Sequence, residues 1–155
     1  MEIEMPLDYP HWGPGDIPSY QLSAVPFVTS SAATEVGTTA VSVRFPNVTR
    51  FFVIHNMSAN TMRIGFTRAG VGATGGVSGS TPSNPAGGES TADRANYFIL
   101  SGNTSTGRLE VRCKELFFRR DGAVNCAFSI LAGVTPISDK RFPTLTGSVG
   151  YDGVG

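Results

Sequence analysis

The residues that most invite a chemical reading are the glycines from Gly70. Gly70-Val71-Gly72-Ala73-Thr74-Gly75 fits G-x-G-x-x-G, and Asp93 stands about where a ribose-binding carboxylate would follow. That chemistry needs a helix to begin at the glycines, so that its N-terminus faces a pyrophosphate. The next residues, Gly75 onward, read GGVSGSTPSNPAGG, a composition that does not build a helix. No Lys-Ser or Lys-Thr pair stands there for a phosphate loop. The glycines therefore read as a surface loop that matches the pattern through composition.

The other reactive side chains are few. His11 and His55 are the histidines, and Cys113 and Cys126 the cysteines. Zinc sites show paired ligands at short spacing, and these four residues lack it. No serine sits in a G-x-S-x-G elbow. Glu110 and Glu115 lie among Arg108, Arg112 and Lys114, which reads as a solvated mixed-charge face. Arg119 and Arg120 read as solvent-facing beside a tight turn. The sequons at Asn47, Asn56 and Asn103 fall in turns, where Asn is favoured for its backbone chemistry. The reading is of a protein that is not an enzyme and has no cofactor or metal.

Elements that would position these groups follow from periodicity. Residues 49–67, TRFFVIHNMSANTMRIGFT, read as two strands joined by a polar turn. Phe51 and Val53 on one face and Phe52 and Ile54 on the other predict a strand covered on both sides. His55 ends it. Met62, Ile64 and Phe66 alternate with Arg63, Gly65 and Thr67, as in a half-buried strand. Further strands are predicted over 24–29, an edge strand because of Pro26, and over 40–45, with Val41, Val43 and Phe45 inward. Strands also fit 96–101, 108–113 (Leu109, Val111 and Cys113 inward), 115–120 and 124–132. Asp121-Gly122 predicts a type I′ hairpin between the last two. It sets Arg120 opposite Ala123 and Cys126 opposite Phe117, which leaves the cysteines too far apart to bond.

No stretch carries helical spacing between a cap and a stop. About eight strands, without crossover helices, predict an all-β antiparallel sandwich, a single jelly roll. Residues 1–21 form a Pro-rich aromatic arm, residues 22–137 the sandwich with a surface loop at 69–94, and residues 138–155 a tail. The arm either drapes over its own domain or docks on a neighbour through Tyr9 and Trp12.

Charged residues are 15% of the chain and the formal net charge is zero. A protein that neutralises many phosphates carries a basic excess, so nucleic acid is not an expected partner. No run approaches the ~18 apolar residues of a membrane span. Acidic residues and prolines near Met1 argue against a signal peptide, and a reducing compartment with free thiols is expected.

The succession FFVIHNMSANTMRIGFT, AGVG, NYFIL, GRLEVRCKELFFRRDG and FSILAGVTPI resembles the small single jelly-roll capsid proteins of large icosahedral double-stranded DNA viruses. The resemblance covers about residues 41–137 and is one of pattern. It implies a penton subunit, a homopentamer at the fivefold vertex of a virion assembled from protein made in the host cytoplasm. It also implies neighbouring major and minor capsid proteins as partners. Tyr9, Trp12, Phe142 and Tyr151 are the expected contact residues. The alternatives are another minor capsid protein or a β-sandwich binding module, such as a phage decoration or fibre domain or a carbohydrate-binding domain.

Overall fold

A computed structural model describes residues 24–68, 70–72, 96–143 and 145. Their strands are β1 (Val25–Ser30), β2 (Val41–Arg44), β3 (Asn47–Asn56), β4 (Met62–Gly65), β5 (Tyr97–Leu100), β6 (Glu115–Arg120) and β7 (Phe128–Ser138). A 3-10 turn, Asp139–Arg141, follows. The strands form two antiparallel sheets, β1-β7-β3 and β2-β6-β4-β5.

Alternation explains the layers. Phe52 and Ile54 of β3, and Phe128, Ile130 and Ala132 of β7, point into the sandwich from one sheet. Met62, Ile64, Leu116 and Phe118 meet them from the other. Each large apolar side chain taken wholly from water contributes about 1.5–3 kcal/mol. Phe118 stacks on Phe128 with ring centroids 4.1 Å apart, which fastens one sheet to the other. Phe27 meets Phe45 edge-on at 5.2 Å and closes the side where β1 lies near β2.

Several expectations are corrected. Residues 51–54 are not covered on both sides: Phe52 and Ile54 are buried, whereas Phe51 and Val53 are half-buried on the sheet's outer face. The Asp121-Gly122 hairpin does not form, because β6 and β7 belong to different sheets. Asp121 instead accepts a 2.7 Å ion pair from Arg63, and Cys126 bridges Val36. Gly122 is not among the positive-φ glycines, as a type I′ turn would require.

The final strand starts and ends later than expected. It runs through Pro136, because β1 stops pairing at Val134 and β3 skips from Val134 to Ser138. No partner needs the missing N–H there.

Residues 108–113 are not a ladder strand. They follow β3 through the isolated Phe52–Leu109 bridge and a 2.9 Å bond from Thr49 N–H to the Cys113 carbonyl, and the residues just before them add a His55–Ser105 bridge. Gly107, at φ +68°, kinks the segment out of register. Leu109 and Cys113 still turn inward, but Val111 is 37% exposed.

Candidate interaction surface

An apolar hollow lies where β1 begins. β7 continues to Ser138 after its last partner in β1, Val25 opposite Val134. That mismatch leaves an apolar groove of about 500 Å³ lined by Val25, Pro26, Phe27, Pro46, Asn47, Val134, Thr135 and Pro136. Three prolines in its walls remove backbone donors that would otherwise need water. Val25 is 68% exposed at its lip.

A second hollow, about 280 Å³, opens on the other side of the sandwich. Phe98, Ile99 and Leu100 of β5 and Thr106 and Leu109 of the segment along β3 line it. The outer face of the three-stranded sheet is also apolar. Val28, Leu131 and Val53 stand side by side in register across its strands, and Val28 and Leu131 are exposed. Gly133 makes room for Phe51: a Cβ there would lie 2.4 Å from the Phe51 ring. Arg108 covers that ring from 4.2 Å.

The outer face of the four-stranded sheet is covered by the foot of the glycine loop. Val71 is fully buried against Phe117, Ala40 and Tyr97. It sits over Gly65, where a Cβ would come within 2.7 Å of its methyl group. Arg119 donates to the Val71 carbonyl (3.4 Å), and Arg68 donates to that of Ala40 (3.3 Å). The Gly70 N–H is taken by Thr67 Oγ1 at 2.9 Å and that of Val71 by the Thr67 carbonyl at 3.4 Å. Those amides cannot also cradle a phosphate. The expected surface excursion is thus pinned at residues 70–72; residues 73–75 lie outside the described set.

Arg119 and Arg120 are half-buried and engaged, not solvent-facing. Arg119 also donates to the Thr38 carbonyl (2.9 Å). Burial, then Arg63 and Arg120 nearby, lower its pKa. Arg120 reaches Asn125 Oδ1 at 3.1 Å.

Of the expected contact residues, Phe142 is described and half-buried. Its N–H bonds the Asp139 carbonyl, closing the 3-10 turn, and its carbonyl accepts from Lys114 Nζ at 3.4 Å. Asp139 is tied to Arg44 at 2.8 Å, and that bond holds its carboxyl below the ordinary range. Tyr9, Trp12 and Tyr151 lie outside the described residues, so Phe142 is not seen brought together with them.

His55 is exposed at the end of β3. Asn56 is fully buried and bonded through its side chain, so its sequon offers no accessible acceptor. Among the described residues no group of three metal-ligating side chains converges, and no helix is long and apolar enough to cross a membrane.

Both cysteines are free and buried. The Thr49 hydroxyl faces the Val111 and Cys113 carbonyls at 3.0 and 3.2 Å and accepts from the Cys113 N–H at 3.0 Å. Burial pushes the Cys113 thiol up to about 12 from its ordinary 9.0. A pKa raised by folding adds stability that is complete below the unfolded value and disappears as pH climbs through the folded one. At pH 10 the loss from this thiol is on the order of 1 kcal/mol. Unfolding free energies from urea at pH 8 and pH 10 should therefore lie closer together by that amount in Cys113→Ala than in wild type; an unchanged gap would refute the assignment.

Comparison with protein-family models, with curated proteins and with solved structures finds no match to this chain.

Proposed function

We propose that this chain is a structural capsid subunit with a jelly-roll fold, the penton that forms a homopentamer at the fivefold vertices of an icosahedral virion. The observation that carries the reading is the pairing scheme. Counting the 104–113 segment as an eighth element, the first pairs with the last and the second with the second-last. The third lies along the third-last, and the central two pair with each other. The remaining contacts, β3 with β7 and β4 with β6, arise when such a doubled chain is rolled up. That connectivity supports a jelly roll, an architecture used by viral capsid and lectin domains.

Exposed side chains favour assembly over sugar binding. Val25, Val28, Ile99 and Leu131 are aliphatic and suit another protein's apolar surface better than sugar hydroxyls. The two hollows lie on opposite sides of the sandwich and differ in lining. A ring needs two unlike surfaces on each subunit, repeated around an axis. The number five comes from the resemblance described above. Tyr9, Trp12, Phe142 and Tyr151 act as contact residues toward sister subunits and the surrounding capsid proteins.

Sedimentation of the purified protein tests this reading. A pentamer is expected, and deletion of residues 1–21 should weaken it while urea unfolding stays cooperative. A clean monomer that binds glycans would overturn the proposal. Loss of cooperativity on deletion would place the arm in the core instead.

A further inference from the structure

We infer that the groove at the start of β1 receives Trp12 from a neighbouring copy of the chain; the inference rests on the ring reading. The groove is walled by Val25, Pro26, Pro46, Val134 and Pro136. Its volume, about 500 Å³, lies within the range of sites that bury a compact ligand. Val25 at the lip is left 68% exposed, so covering it is favourable. Asn47 contributes the polar group: its amide oxygen can accept the indole N–H, the bond a buried Trp requires.

The occupant is argued from the chain that precedes the groove. Residues 1–23 lead directly into Ala24 and Val25 at its edge, and they hold the chain's only tryptophan, in the run HWGPG. Tryptophan is among the residues that most often carry interface affinity, through insertion into a well-packed pocket.

Reach permits a neighbouring copy to supply it. Pro14 and Pro18 stand between Trp12 and the groove, and fully extended backbone of this type rises about 3.1 Å per residue. The twelve steps from Trp12 to Ala24 can therefore reach up to roughly 37 Å, against roughly 35 Å across a domain of this size. That reach brings the groove of the next subunit in the proposed ring within range of Trp12.

A single tryptophan makes the test direct. In the assembled wild-type protein, Trp12 emission should be blue-shifted and several-fold less accessible to acrylamide than a free indole. Val25→Asp alters an exposed position, so the sandwich should fold, and its emission should shift to the red. Pro136→Lys, at another exposed wall position, repeats the test should the first variant misfold. Val25→Asp protein is then refolded together with Trp12→Phe protein, which has an intact groove and no tryptophan. Return of the blue-shifted emission establishes docking between copies. Solvent-like wild-type emission, no response to either wall substitution, or no recovery on mixing would each overturn the inference, the last by assigning the groove to its own arm. Sedimentation of the same samples separates the two readings. A ring whose Trp12 stays solvent-like overturns the docking and leaves the ring. Recovery on mixing in a complex that is not a ring supports the docking and overturns the ring.

Discussion

Phe118→Ala is expected to destabilise the protein by about 3–5 kcal/mol, the range for a large aromatic removed from a packed core. Phe118 is fully buried. On its own sheet it stands between Val41 of β2 and Ile64 of β4. Across the sandwich it stacks on Phe128 at 4.1 Å with an interplanar angle of 14°. Truncation therefore opens a cavity and removes the ring contact that joins the two sheets, itself about 0.5–1.5 kcal/mol beyond burial. Urea unfolding should show a lower midpoint at unchanged slope. The Tm should fall by roughly 6–20 °C for a chain of this length. Val124→Ala, at a position 57% exposed, should stay within about 0.5 kcal/mol of wild type. Equal small effects at both positions would mean that the sheets do not meet at Phe118.

Much of the strand pattern was legible because a period of two marks which side of a strand is apolar. Val41 and Val43, Met62 and Ile64, and Leu116 and Phe118 all face the core as their alternation predicts. Alternation does not say which sheet a strand joins. The runs on either side of Asn56 to Asn60 look like the arms of a hairpin, yet β3 and β4 enter opposite sheets. Asp121-Gly122 carries a strong local turn signal. It loses to longer-range contacts: the Arg63 ion pair and the Val36–Cys126 bridge, whose partners lie far away in the chain.

The surfaces were harder to read. Within the glycine run, Val71 is a clue that the loop is anchored, since an apolar residue directly after the strand has something to cover. Its counterpart, Gly65, leaves the matching space on the sheet. The groove was not legible. Pro26, Pro46 and Pro136 each read as a local interruption, and only the sheet topology brings them to one place.

Asn56 shows how a single amide can hold one end of such a sandwich. It closes β3, is fully buried, and sits where the chain crosses to the other sheet. The two N–H bonds of its Nδ2 are shared among the carbonyls of Asn60 (2.8 Å), Leu100 (3.2 Å) and Ser101 (3.2 Å). Its Oδ1 accepts from the Ser58 N–H (3.0 Å) and hydroxyl (2.7 Å). One side chain thereby ties the β3–β4 crossing to the end of β5. Asn56→Asp keeps the shape and replaces the donor with an oxygen facing three carbonyls. At pH 7 the new carboxylate would be buried and bonded only by Ser58, and a loss of about 3–5 kcal/mol is expected. Burial and the facing carbonyls raise that carboxyl's pKa above its unfolded value, so the substituted protein should regain stability as pH falls. Its neutral hydroxyl can again donate one bond. Asn56→Ala, which leaves the three carbonyls without this donor but adds no charge, should lose less at pH 7 and show no comparable recovery in acid. Urea midpoints for both variants between pH 4 and pH 8 measure this; parallel pH profiles would mean that the amide does not face those carbonyls.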